Sequence, residues 1–202
     1  MKRDFSYPEK AENILKVAAK IIARDGYENA TIRKVARELN LNLATLYYYF
    51  KSKDELLYAI QYQTFDSLLS NLKKKLKDVE DGEKKLYIII ENHLSYFLTH
   101  LNEIKVCTHE LETLTGKYYK EVESKRKEYF KIVLEILNQI KEKYSIKEKN
   151  LRVSTLCLFG MLNWFYTWYD PNKDLKGKEL VEHVKELFLN GFIGRSKNVR
   201  KI

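Results

Sequence analysis

The sequence predicts an all-α fold: a small N-terminal domain of three helices, then a larger helical domain. Three observations carry this expectation. Only seven glycines and two prolines punctuate 202 residues, too few breakers for the turns of a many-stranded fold. Apolar residues recur at three- and four-residue spacing along most of the chain. Lysine, glutamate and leucine, all strong helix formers, dominate between those positions.

The first helix runs from about Pro8 to Arg24, with Ile14, Val17, Ala18, Ile21 and Ile22 on one face and Gly26 just past its end. Thr31 caps a second, "IRKVAREL", whose stripe is Ile32, Val35, Ala36 and Leu39; Asn40 stops it. Asn42 caps a third, Leu43 to Phe50, on which Leu46 and Phe50 share a face. Ser52 and Asp54 open a long fourth helix that ends at "DVEDGEKK". Longer amphipathic helices follow at about 84–101, 103–114, 117–144, 148–169 and 177–189, with "DPNKDLKGK" as the clearest loop. The domain boundary is expected near Asp54, giving domains of 1–53 and 54–202 joined through a continuous helix.

Hydrophobic residues make up 45% of the chain and aromatics 13%, the composition of a folded protein. No apolar run approaches the ~18 residues of a spanning helix, and "MKRDFSYPEK" lacks the apolar stretch of a signal peptide, so a cytoplasmic protein is expected. Cys107 and Cys157 sit in helical segments, as small buried hydrophobes do, with no disulfide framework. His93 and His100 are two helical turns apart, too far to chelate one ion from one helix, so no metal is expected from these with His109 and Cys107. The net charge of +9 is concentrated at the ends. Residues 1–53 hold 11 basic and 6 acidic side chains, 191–202 hold four basic and none acidic, and the stretch between is balanced. Such an asymmetry points to a nucleic acid partner at the N-terminal domain.

"TLYYYFKSKDELL", Thr45 to Leu57, sets three tyrosines in one helical turn. With Leu46 directed at the core and 100° per residue, Phe50 returns to within about 40° of it. Ala44, Thr45, Tyr47 and Tyr48 then face outward or sideways. Tyrosine hydroxyls donate to phosphate oxygens while the rings pack on sugars and base edges, which suits DNA better than water. Two short helices joined by a tight turn, the second presenting such groups, form a helix-turn-helix that fits a major groove ~12 Å wide.

The segment "ATIRKVARELNLNLATLYYYFKSKDELLYAI" resembles the DNA-binding part of the TetR family of transcriptional regulators. That pattern has a Thr-opened second helix, a turn, a T-L-Y-x-H-F recognition helix and K-S-K-[ED]-x-L-[LF]. The resemblance implies that Thr31 bonds a phosphate at a helix N-terminus, that Asn42, Leu43, Ala44, Thr45, Tyr47, Tyr48 and Tyr49 meet the DNA, and that Lys53 clamps a backbone phosphate. Asn42 stands where Ser is frequent, Ala44 where Gly is common and Leu43 where a polar residue is frequent; Tyr49 replaces the usual His. No Arg or Lys lies between Asn42 and Tyr49, so bidentate guanine recognition is absent from this helix. An A·T-rich operator is expected, read through thymine methyls and shape, with Lys2 and Arg3 in the minor groove.

The same resemblance implies a helical regulatory domain that dimerises and binds a small effector. In "LRVSTLCLFGMLNWFYTWY" three apolar stripes cover most of one helix: Cys157, Met161, Trp164 and Trp168; Leu158, Leu162, Phe165 and Tyr169; and Phe159, Gly160, Asn163, Tyr166 and Thr167. A helix apolar on most sides must be covered on most sides. The third stripe, with Val184, Leu187, Phe188 and Gly191 of the last helix, is the expected homodimer interface, a four-helix contact that places two recognition helices ~34–36 Å apart on a palindrome. "NWFYTWYDP" is similar to the N-W-x-x-x-W-Y-x-P signature of family members that respond to fatty acyl-CoA. That similarity implies a tunnel lined by Phe97, Leu111, Tyr129, Phe130, Trp164 and Trp168, with Lys125 and Arg126 meeting coenzyme A phosphates.

These readings converge on a ligand-responsive DNA-binding repressor without a catalytic site or cofactor, released from its operator by an apolar effector such as an acyl-CoA. The alternative is an all-α lipid-handling enzyme or carrier. The sequence holds no Gly-Lys phosphate loop and no G-x-S-x-G elbow, which leaves that alternative without a nucleophile.

Overall fold

The computed structural model describes residues 9–146, 150–170 and 172–194. Among them are nine α-helices and no strand: α1 (Glu9–Asp25), α2 (Ile32–Glu38), α3 (Leu43–Tyr49), α4 (Lys53–Leu76), α5 (Gly82–Thr99), α6 (Leu101–His109), α7 (Gly116–Lys143), α8 (Leu151–Trp168) and α9 (Gly177–Ile193). None is long and apolar enough to cross a membrane. Lys2, Arg3 and the basic residues after Gly194 lie outside the described residues.

Local chemistry sets the helix ends. Gly26, at φ +77°, turns the chain out of α1. The Thr31 side chain accepts from Lys34 N at 3.2 Å and the Asn42 side chain from Thr45 N at 2.7 Å, so both expected caps form. Asn40 adopts φ +51°, while Asn40 N bonds Arg37 O and Leu41 N bonds Ala36 O. That pair of bonds is a Schellman closure with asparagine in the left-handed position, and it makes the tight turn between α2 and α3. At α4, Ser52 Oγ accepts from Glu55 N at 3.0 Å while the Glu55 carboxylate accepts from Lys51 N at 2.7 Å, a reciprocal cap one residue longer than the usual box.

The chain divides into two compact units, 1–67 with 100–126 and 68–99 with 127–202. The first is therefore larger than the 1–53 segment, because α6 packs against α1. Its core includes Ile14, Ala18, Ile21, Val35, Leu46, Phe50, Leu57 and Val106, all buried. In the second unit α5 packs against α8 and α9 around Leu86, Ile89, Ile90, Leu158 and Leu162, each fully buried. A Cβ on Gly82 would meet Ile140 Cγ1 at 3.0 Å, so glycine permits the close approach of α5 to α7.

The helix expected over 103–114 ends instead at His109. Glu110 is why: its backbone oxygen accepts from Gln61 Nε2 at 2.7 Å, and its carboxylate accepts from Tyr27 N at 3.0 Å and Thr113 Oγ1 at 2.7 Å. These long-range bonds hold the chain in a turn that local periodicity does not signal.

Leu46 and Phe50 are 0% and 1% exposed, whereas Tyr48 is 81% exposed. Phe50→Ala should therefore cost about 3–5 kcal/mol of unfolding free energy, and Tyr48→Ala should stay within about 0.5 kcal/mol of the parent, both read from urea melts.

Candidate nucleic-acid interface and effector domain

The α2–α3 pair builds a surface by fixing one face inside. Leu46 and Phe50 anchor α3 in the buried core cluster to which α1, α2 and α4 also contribute, with Leu43 and Tyr49 half-buried against it. The rotation left over presents Asn42, Ala44, Tyr47 and Tyr48 to solvent, with Thr45 partly covered. Tyr48 and Tyr49 meet edge to face with ring centres 5.2 Å apart, which steadies the outward ring. The α3 rod, seven residues and roughly 10 Å long, is short enough to enter a major groove ~12 Å wide. Thr31 lies exposed at the N-terminus of α2, where backbone N–H groups favour an anion.

Lys53 sits differently from a freely extended phosphate clamp. Its Nζ donates to Tyr27 O at 3.0 Å and Glu28 O at 3.4 Å, and lies 4.0 Å from the centre of the Tyr27 ring. Tyr27 in turn donates its hydroxyl to Asp54, and burial beside that carboxylate raises the phenol pKa. The turn after α1, the start of α4 and Glu110 beyond α6 thus meet at Tyr27. Sequence reasoning missed Tyr27 and Glu110 because they are 83 residues apart.

The second unit brings together only part of the expected effector site. Phe97 and Tyr129 are buried beside the buried ring of His93, and Phe130 is half-buried against Phe159. Leu111, Lys125 and Arg126 belong to the other unit, where Lys125 bonds Asp66 at 2.6 Å and Arg126 lies over the Phe65 ring. Trp164 and Trp168 are corrected outright: they are 60% and 74% exposed rather than lining an interior.

Three residues expected at the dimer interface make the opposite exchange. Asn163 Oδ1 pairs with His93 Nε2 at 3.0 Å, Phe159 packs with Tyr129 and Phe130, and Tyr166 lies near Phe97. Val184 and Phe188 are likewise buried within their own unit. Gly160, Thr167, Leu187 and Gly191 remain exposed, joined by Val153, Leu156, Cys157, Trp164 and Trp168. Spacing on α8 gives the angles between its stripes but not which stripe faces inward. His93, with its polar partner Asn163 on an otherwise apolar helix, was the available signal. Cys107 is buried, its thiol pushed up to about 12 by desolvation, but Cys157 is exposed, against expectation.

Comparison with known proteins places this geometry. Residues 14–60 match the family model described as bacterial regulatory proteins, tetR family, and residues 79–192, more than half of the chain, match the tetracyclin repressor-like C-terminal domain. The chain belongs to the TetR family. It is a DNA-binding transcriptional regulator. The fatty acid metabolism regulator protein of Bacillus subtilis (strain 168) is 24% identical over 184 residues, 90% of this chain and 95% of that protein. A TetR-family transcriptional regulator from Bordetella parapertussis 12822 is 28% identical with a TM-score of 0.84, covering 91% of this chain and 96% of that one. AibR, solved in complex with isovaleryl coenzyme A and operator DNA, shares the fold at a TM-score of 0.78 and 23% identity, with 91% and 97% covered.

Two outcomes are expected for this TetR regulator. With Tyr48 as the expected phosphate donor, Tyr48→Phe should melt with the parent yet weaken DNA binding about fivefold, one hydrogen bond's worth, with an unchanged salt slope in gel shifts because a neutral hydroxyl releases no counterion. Desolvation pushes His93 down to about 4, so its ring stays neutral in the folded state while the unfolded ring takes a proton near pH 6.5. Its contribution is intact above the unfolded value and is lost as pH falls toward the folded one. Between about pH 7 and pH 5 this amounts to about 2 kcal/mol, a loss that His93→Gln should reduce in paired urea melts.

Proposed function

We propose that this TetR regulator is a homodimeric repressor that a fatty acyl-CoA, or a molecule of similar apolar character, releases from a palindromic operator. The observation that carries the DNA-facing half is the outward set Asn42, Ala44, Thr45, Tyr47 and Tyr48 above the buried Leu46 and Phe50. Thr31 and Lys53 flank it, Thr31 as a phosphate donor and Lys53 as a cation at the start of α4. With no Arg or Lys from Asn42 to Tyr49, an A·T-rich core is the expected target.

The dimer reading rests on the exposed apolar stripe of α8. Val153, Leu156, Trp164 and Trp168 are each at least half exposed, and Leu187 of α9 is 60% exposed. Large apolar side chains grouped this way mark a contact surface. Gly160, at open space on the same face, lets a second helix approach closely. Two Trp residues in the contact match the aromatic anchors that dominate interface energies.

The effector reading is supported by the buried aromatic cluster of α5, α7 and α8, by the N-W-x-x-x-W-Y run from Asn163 to Tyr169, and by relatives named for fatty acid metabolism and solved with an acyl coenzyme A. In that run Asn163 turns inward and both tryptophans outward, so one motif would serve the effector chamber and the subunit contact together. Effector binding would then shift the population toward a dimer whose recognition helices no longer match operator spacing.

The direct experiment is operator DNA recovered by in vitro selection, challenged with dodecanoyl-CoA in a gel shift. The proposal expects an A·T-rich palindrome and dose-dependent release; a G·C-rich core or DNA retention at saturating thioester contradicts it. Trp164→Glu should convert the dimer to monomer in size-exclusion chromatography, and Cys157 should be alkylated faster in that variant than in the parent.

A further inference from the structure

Two buried polar atoms in the second unit have no hydrogen-bond partner among the described residues: His93 Nδ1 and the Tyr129 hydroxyl. Both side chains are more than nine-tenths buried, at 5% and 6% exposure. Asn92 donates one amide N–H to Leu68 O at 3.0 Å and its amide lies toward the Tyr129 oxygen, an approach that falls short of a hydrogen bond and in any case leaves the Tyr129 O–H without an acceptor among the described residues. Native interiors rarely leave such atoms unpaired, so each orphan calls for an explanation.

Their surroundings are apolar and specific. Phe97 stacks on the His93 ring at 4.7 Å between centres, and Phe159 lies 6.1 Å from His93 and 5.7 Å from Tyr129. Phe130 stacks on Phe159 at 5.9 Å. The polarity of the pair is also set. His93 Nε2 donates to Asn163 Oδ1 at 3.0 Å, which leaves Nδ1 as an acceptor lone pair. Desolvation holds the ring neutral and preserves that lone pair. The Tyr129 O–H is a free donor. The two rings are neighbours, 6.1 Å apart between centres.

We propose that His93 and Tyr129 form a recognition subsite for a hydroxyl group carried on an apolar ligand, which donates to His93 Nδ1 and accepts from the Tyr129 O–H. This rests on the effector reading above and sharpens it: the preferred ligand is a hydroxylated acyl compound rather than a saturated one. A plain methylene chain leaves both polar atoms unpaired against hydrocarbon, and a site built to bond a hydroxyl rejects the analogue without it. A carbonyl can accept from Tyr129 but cannot donate to His93, so a keto group satisfies half the pair. Asn163 is the positioning residue, since its amide oxygen fixes the His93 tautomer.

The test uses the full chain and four probes: dodecanoyl-CoA, 3-oxododecanoyl-CoA, 3-hydroxydodecanoyl-CoA and ω-hydroxydodecanoyl-CoA. Thermal shift reads binding, and release of selected operator DNA reads the response. One of the hydroxylated thioesters should bind at least about tenfold more tightly than dodecanoyl-CoA, with the keto compound between them. Tyr129→Phe, which deletes only the phenolic oxygen, should fold and melt with the parent, bring the keto and plain ligands to equal affinity and shrink the advantage of the hydroxylated one to what the bond to His93 Nδ1 alone supplies. Equal affinities in the parent, or a preference left undiminished by Tyr129→Phe, overturn the subsite, as does binding of none of the four. Release of DNA by all four alike leaves the acyl-CoA repressor reading standing while the subsite falls. Selective binding of a hydroxylated probe without release of DNA has the reverse meaning.

Discussion

Burial of Leu46 and Phe50 in the core cluster shared with α1, α2 and the start of α4 is the constraint on which the surface proposed to face DNA depends. On a rod of seven residues, two fixed side chains four apart leave no rotational freedom. Which atoms the remaining residues present is therefore decided by the core, not by the surface. The caps at Thr31 and Asn42 and the left-handed Asn40 set where each rod begins and how sharply the chain turns between them. Tyr27 extends that control beyond the motif, because its backbone and hydroxyl engage Lys53, Asp54 and Glu110. The N-terminal region is thus held by α6 as well as by its own three helices.

The regulatory half uses the opposite strategy. Where α3 spends its hydrophobic residues on one inward face, α8 is apolar nearly all round, and its two principal faces do different work. Thr155, Leu158 and Leu162 are fully buried; Phe159 and Asn163 flank them toward α5 and α7; Trp164 and Trp168 look away. Polar atoms inside this half are few, and most are paired, which makes the two orphans beside Phe159 stand out.

The helices of the fold were legible because their signals are local: periodicity, a Ser, Thr or Asn before several starts, and Gly or Asn at several ends. The inward face of α3 was legible for the same reason, since it needs only two strong apolar anchors. On α8 the same arithmetic gave the stripes but attached them to the wrong neighbours, because Trp and Phe are equally suited to a core and to a subunit contact. The end of α6 and the Lys53 geometry were hidden for another reason. Both depend on partners such as Gln61–Glu110 and Tyr27–Lys53, which are far apart in sequence and leave no periodic trace.

The account's central claim is that the outer rings of α3 are presented to DNA by the burial of its inner ones. Tyrosine nitration with tetranitromethane, mapped by mass spectrometry with and without saturating operator DNA, tests it most directly. The account predicts that Tyr47 and Tyr48 are nitrated in the free protein and protected in the complex, while the buried Tyr58 stays unmodified in both. Nitration of Tyr47 and Tyr48 at undiminished rates on fully DNA-bound protein would contradict it.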